Sequence, residues 1–220
     1  FPTMLSKIAN KFKIKKFIHL SSLGIESATD SKYAMSKLEG EKNIKQNFKN
    51  FVIIKPSIVY SVDDNFTTNF MTLLSRLPIM PLYYDGKTKF SPIHVSEIVD
   101  IIYNIIEKDY SGLTLECIGP EILSFKEIIL NLLSSIQKKR LLLPLPGPLA
   151  SITAKILQLL PNPLLTEDQL KLLKYDNVKS GIYKTNFDLG FEANKKFNIE
   201  IDKYSYNWRT GGQFAKKTTN

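Results

Sequence analysis

Tyr33 and Lys37 stand four residues apart in the run Tyr33-Ala34-Met35-Ser36-Lys37. On a helix this spacing puts the phenol and the ammonium on one face. An unperturbed tyrosine titrates near pH ~10. A nearby cation favours the phenolate and draws that value toward neutrality. Such a phenol can pass a proton to or from a carbinol or carbonyl oxygen. Ser22, where a short apolar run ends in Ser21-Ser22, can donate a hydrogen bond to the same oxygen and hold it. The pair alone is unspecific, because a lysine-rich helix produces it by chance and an ordinary surface pair looks the same. Its context is more specific: it follows a run ending in Ser-Ser and precedes one stopped by Pro56.

The elements that must carry these residues can be read around them. Residues 5–12 suggest a helix ending in a basic turn. Phe17-Ile18-His19-Leu20 and Phe51-Val52-Ile53-Ile54 read as buried strands, with a helix between them over residues 31–46 capped by Asp30 or Ser31. Strand, helix, strand predicts a parallel sheet, which binds ligands beyond the carboxyl ends of its strands. Ser22 and Pro56 both fall at such ends. Farther on, residues 65–76 suggest a helix and residues 77–81 a turn-rich connector. Asp85-Gly86-Lys87-Thr88 reads as a hairpin-like turn. Ser96 is expected to cap a helix to about Lys108, followed by a strand over residues 113–118. Ser124…Glu127 and Thr166…Gln169 are capping boxes.

Several further runs share one pattern. Lys55-Pro56-Ser57-Ile58-Val59-Tyr60 follows the second strand. Residues 76–82, 86–95, 165–169 and Asp176-Asn177-Val178 add local matches. With Ser22, Tyr33 and Lys37, the chain resembles the extended and atypical branch of the short-chain dehydrogenase/reductase superfamily over residues 7–181, the NAD-dependent epimerase/dehydratase-like proteins. Within that branch it is similar to the NAD(P)H-binding alpha-subcomplex subunit nine group of respiratory complex I and its bacterial relatives. The resemblance implies Ser22 as the oxygen-orienting serine, Tyr33 as acid/base, and Lys37 as ribose binder and depressor of the tyrosine's pKa. It places Ser21, Ser22, Tyr33, Lys37, Pro56, Ser57 and Ile58 along the cofactor. Tyr60-Ser61 departs from the usual aromatic-Gly ending of that segment. The implied cofactor is NADP or NAD, with NADPH favoured. The implied partners are complex I subunits or a quinone-like small molecule, with peripheral contact at the inner membrane, on the matrix side in a eukaryote. Three functions stay open: a reductase-like protein of quinone or respiratory metabolism, a non-catalytic accessory subunit with structural NADPH, and a sugar-nucleotide epimerase or reductase. The family's glycine-rich phosphate loop and its asparagine are expected to lie before Phe1, so the chain reads as a C-terminal portion.

The expected fold is α/β: the C-terminal part of a Rossmann-like parallel sheet, from residues 1–60 with 94–118, beside a smaller α/β lobe from residues 61–93 and 119–215. Residues 216–220 read as a flexible tail. Composition fits a folded protein: 43% hydrophobic and 23% charged over 220 residues. The net charge of +9 comes from scattered lysines with only three arginines, which suits a solvated surface better than nucleic-acid readout. The single cysteine, Cys117, excludes an internal disulfide, and two histidines argue against a metal site, which together suit the cytoplasm. His94 reads as bonded to backbone rather than as a base, and the aromatic clusters as core. Prolines and Lys155 interrupt the apolar stretch 141–165, so it reads as an amphipathic helix over residues 149–160 rather than a spanning segment.

Overall fold

The computed structural model describes residues 1–145 and 166–214. Its centre is a four-stranded, all-parallel sheet in the order β1 (Phe17–Leu20), β2 (Phe51–Pro56), β7 (Leu113–Cys117), β10 (Lys184–Thr185). Ile54 pairs with Leu20 on one side and Leu115 on the other. β2 and β7 are buried on both faces, which explains the apolar run Phe51–Ile54 of β2 and the burial even of Thr114 and Glu116 in β7. Beneath them, Val52, Ile54 and Leu115 pack on Ile98, Ile101 and Ile105 of α4 (Val95–Glu107). The i, i+3, i+7 spacing of those isoleucines is the helix's buried stripe. Lys184–Thr185, which the sequence reading groups with the smaller lobe, adds to the edge of this sheet.

Between β1 and β2 runs α2 (Lys32–Asn47). Ser31 caps it, its hydroxyl accepting from the Ala34 N–H. Ala34, Glu41 and Ile44 face inward, so Tyr33 falls beside the buried stripe rather than in it. Gly40 lets α2 approach α1 (Pro2–Lys11): a Cβ there would stand 3.2 Å from the Pro2 ring. β2 also carries the buried Lys55, whose ammonium pairs with Glu41 of α2 at 3.0 Å and with Glu26.

The second core gathers α3 (Thr67–Arg76), α5 (Phe125–Ser135) and α7 (Phe197–Asp202) around Phe70, Leu74, Phe125, Ile128 and Leu132. Three expectations change here. Residues 77–81 are not merely a connector: β4 (Ile79–Tyr83) pairs in parallel with β9 (Leu141–Leu145). Pro81 and Pro144 are tolerated because, among the described residues, this sheet has two strands and therefore free edges. Tyr84–Gly86 is a 3-10 turn rather than a hairpin turn, since β5 (Lys89–Phe90) pairs with β8 (Leu123–Ser124) and not with β4. The cap of α4 is His94 rather than Ser96. Its ring accepts from the Ser96 N–H while Glu97 accepts from the His94 N–H. The capping boxes at Ser124 and Thr166 form as read, the latter opening α6 (Glu167–Leu172). Residues 149–160 and 216–220 lie outside the described residues. No helix among the described residues is long and apolar enough to cross a membrane.

Candidate functional site

The ends of β1 and β2 and the start of α2 meet at a cleft of about 570 Å³. β1 delivers Ser22, Leu23 and Gly24, β2 delivers Ser57 and Ile58, and α2 delivers Tyr33. The strand ends are tied together: the Leu23 N–H donates to Pro56 O at 2.9 Å, and the Ser57 N–H to Cys117 O at 2.9 Å. Gly24 has φ +76° and brings its backbone so close to Asp176 that a Cβ would meet that carbonyl at 2.8 Å. Only glycine serves both requirements.

The residues singled out by sequence do not all reach the cleft. Ser22, Tyr33, Ser57 and Ile58 line it. The Ser22 hydroxyl donates to Leu23 O at 3.4 Å, a long and therefore weak hydrogen bond, and also bonds the Tyr33 phenol. Ser21 turns the other way, donating to buried Glu41. Ser57 is spent on structure: it donates to Asn177 Oδ1 at 2.6 Å and accepts from the Ser91 N–H at 3.1 Å. Pro56 contributes its carbonyl to the strand-end tie rather than a wall to the cleft. Lys37 lies on the strand side, donating to Leu20 O at 3.1 Å, with its nitrogen 5.6 Å from the centre of the Tyr33 ring.

The electrostatics of Tyr33 differ from the expected phenolate. Burial raises its pKa above the ordinary value, and the Ser22 hydroxyl pulls it only partly back. Desolvation penalises the charged form, and the Lys37 charge is engaged with a carbonyl instead. The phenol is therefore a proton-bearing group at neutral pH. Cys117, beneath the strand ends, has its thiol pushed up to about 12 by burial and by Glu116, which suits a structural role and not a nucleophile. Both histidines are held below their ordinary pKa, mainly by burial. No group of His, Cys, Asp or Glu suited to a metal occurs among the described residues.

Two residues that position the site were not identified by their role in the sequence. Asp168, on α6, accepts from the Ser31 hydroxyl at 3.0 Å and from the Lys32 and Tyr33 N–H groups at 2.9 and 3.0 Å. It is a second cap on the helix that carries Tyr33, supplied from 135 residues away. Asn177 donates to Leu23 O and holds Ser57, clasping the ends of β1 and β2 from one side. Capping and turn residue types at both positions were visible in the sequence; their distant partners were not.

No family model matches the chain. It is 29% identical over 126 residues to mitochondrial NADH dehydrogenase [ubiquinone] 1 alpha subcomplex subunit 9 of Dictyostelium discoideum, covering 56% of this chain and 35% of that protein. The Mus musculus protein of the same name is 25% identical over 213 residues, covering 94% of this chain and 56% of its own length. The chain is similar to these proteins and spans about half their length or less. Among solved structures, the UDP-glucose 4-epimerase of Thermus thermophilus in complex with NAD matches with a TM-score of 0.65 at 13% identity, over 94% of this chain and 68% of that one. The dTDP-4-dehydrorhamnose reductase of Bacillus anthracis in complex with NADP matches at 0.61 and 14% identity, over 92% and 69%. The shared fold is mixed α/β and Rossmann-like, with a parallel sheet.

Proposed function

We propose that this chain carries the reactive end of a nicotinamide-cofactor site in a short-chain dehydrogenase/reductase-like protein that associates with respiratory complex I. The observation that carries the reading is the convergence of Ser22 and Tyr33 on one cleft at the carboxyl ends of parallel strands, with Lys37 one helical turn beyond the tyrosine. Similarity to complex I subunits supports the partner, and the NAD- and NADP-bound neighbours support the cofactor class. NADPH is the cofactor we favour.

The residues fit the nicotinamide and ribose end of such a cofactor. Lys37 offers an ammonium held at a strand end, Tyr33 a protonated phenol, Ser22 a hydroxyl beside that phenol, and Ile58 an apolar wall. When bound, the cofactor would supply hydride chemistry. The chain's part is to present the Tyr33 proton to an oxygen that Ser22 orients. A second reading has its own support: the raised Tyr33 pKa and the diversion of Lys37 to Leu20 O suit an accessory subunit whose NADPH is structural.

Titrating full-length protein into NADPH and following cofactor fluorescence tests the common ground. We expect saturable binding; no change at about millimolar cofactor, a weak-binding bound, would reject the site. Cofactor oxidation with carbonyl or quinone substrates then separates the two readings. Turnover abolished by Tyr33→Phe supports chemistry, while binding without turnover supports the structural role. Affinity capture from membranes should recover complex I subunits, and their absence would count against the partner.

A further inference from the structure

We propose that the cleft beside Ser22 and Tyr33 takes a neutral carbonyl compound with an apolar body and rejects nucleotide diphosphates. The proposal rests on the reading of Ser22 and Tyr33 as the reactive end, and it names the class of molecule brought to them. The cleft's volume of about 570 Å³ is in the size range of small-molecule sites. Its far wall is apolar. Phe66, Phe70 and Leu73 form one stripe at i, i+4, i+7 along α3, and Phe90, Leu172 and Leu173 continue it. Phe66 and Phe70 stack edge to face with centroids 5.0 Å apart, giving a firm aromatic surface.

The charges point the same way. No lysine, arginine or histidine lines the cleft among the described residues. A buried diphosphate needs such partners, because an unpaired anion taken from water is costly. Two of the chain's three arginines are engaged elsewhere: Arg140 donates to Leu74 O and Ser75 O, and Arg209 to Ser135 O. The charges that do line the cleft are the carboxylates of Asp168 and Asp176, which would repel an anion. They do not invite a cation either. Asp168 already accepts from three donors, and Asp176 accepts from the Lys89 N–H at 2.8 Å. The polar groups left to a ligand include the Ser22 hydroxyl and the Tyr33 phenol, the Gln169 side-chain amide N–H, and the amides of Asn65 and Asn69. The side chains of Asn65 and Asn69 have no hydrogen-bond partner among the described residues. This pattern suits a carbonyl at Tyr33, an apolar body against α3 and one further neutral polar point.

Equilibrium dialysis of the full-length protein tests this with benzylacetone as the neutral carbonyl probe and UDP-glucose as the diphosphate, each with and without NADPH. Benzylacetone should bind about tenfold or more tighter than UDP-glucose, the unpaired phosphate charges being the discriminating term. Leu73→Arg, which sets a cation in the apolar wall, should narrow that ratio by about tenfold. Should it fail to give a native circular-dichroism spectrum, Leu73→Asn should still weaken benzylacetone binding. UDP-glucose binding as tightly as benzylacetone, or a ratio unmoved in a folded Leu73 variant, would overturn the proposal. NADPH binding without benzylacetone binding overturns it alone. Leu73-dependent benzylacetone binding without NADPH binding overturns the cofactor reading and upholds the ligand class.

Discussion

Tyr33 shows how a side chain's surroundings override its sequence neighbourhood. Four residues from a lysine, it is expected to ionise easily; burial makes it hold its proton more tightly than free tyrosine. The difference in alkaline absorbance between wild type and Tyr33→Phe should therefore titrate above pH 10.0. A midpoint at or below that value would show that Lys37 acts on the phenol after all. Asp168 is the complementary case, a carboxylate whose value lies in three donors from another element. Burial raises its pKa, but the Tyr33 and Lys32 N–H groups and the Ser31 hydroxyl outweigh that and hold it low. Asp168→Ala should cost about 1 kcal/mol, the worth of a helix cap. It should lower the melting temperature by about 2–4 °C for a chain of this size. Asp168→Asn, which keeps one acceptor, should lose less, and equal losses would show that the cap is not what stabilises.

At the scale of elements, α2 and β2 are locked by charge as well as by packing. Lys55 is fully buried, and its ammonium is held by Glu41 and Glu26, while Ser21 donates to Glu41. Removing Glu41 leaves the buried ammonium with the partly exposed Glu26 alone and Ser21 without its acceptor, so Glu41→Ala should destabilise by about 3 kcal/mol in urea unfolding. Replacing both with Lys55→Met and Glu41→Leu should cost much less, because both buried charges are gone and Glu26, which is partly exposed, is left to water. If the double variant is as unstable as the single one, packing rather than charge sets the cost. Because the network lies under Ser21, its loss should also loosen the strand end that presents Ser22. Asn177 works at the same scale, since one amide binds the ends of both site-bearing strands.

The whole molecule has a pH window set by groups buried in their neutral forms. Burial raises the pKa values of Tyr60 and Tyr204 above 10.0 and pushes the Cys117 thiol from 9.0 up to about 12. The folded state holds these protons more tightly than the unfolded chain, so their contribution is intact below about pH 9 and is lost as pH rises toward 12. His19 and His94 are shifted the other way, below 6.5, mainly by burial. The unfolded chain binds their protons more readily, so stability is intact above pH 6.5 and falls as pH drops below it. Urea midpoints should thus be flat between about pH 7 and 8.5 and decline on both sides, given these unfolded values. The acid limb should weaken in His19→Gln. A midpoint that rises from pH 8.5 to 10.5, across the ordinary tyrosine and thiol range, would contradict the alkaline limb.

The sequence by itself determined the parallel α/β core and the order of its site. Apolar runs of strand length, a Ser-capped helix between them, and serine and proline at the strand ends depend on contacts within a few residues, and local patterns encode such contacts. The capping boxes at Ser124 and Thr166 were legible for the same reason. Tertiary structure alone decided the pairing of β4 with β9, some 60 residues apart, which Pro81 and Pro144 disguised. It also decided that Lys55 is buried, that Ser21 and Ser57 serve the scaffold, and that Asp168 and Asn177 reach back to the site. The protonation of Tyr33 belongs to the same group, because a pKa is set by desolvation and by whichever charges the fold brings near. Residue types and spacing can nominate a phenol and a cation for proton transfer. Only the packed molecule fixes how deeply the phenol is buried and where the cation points.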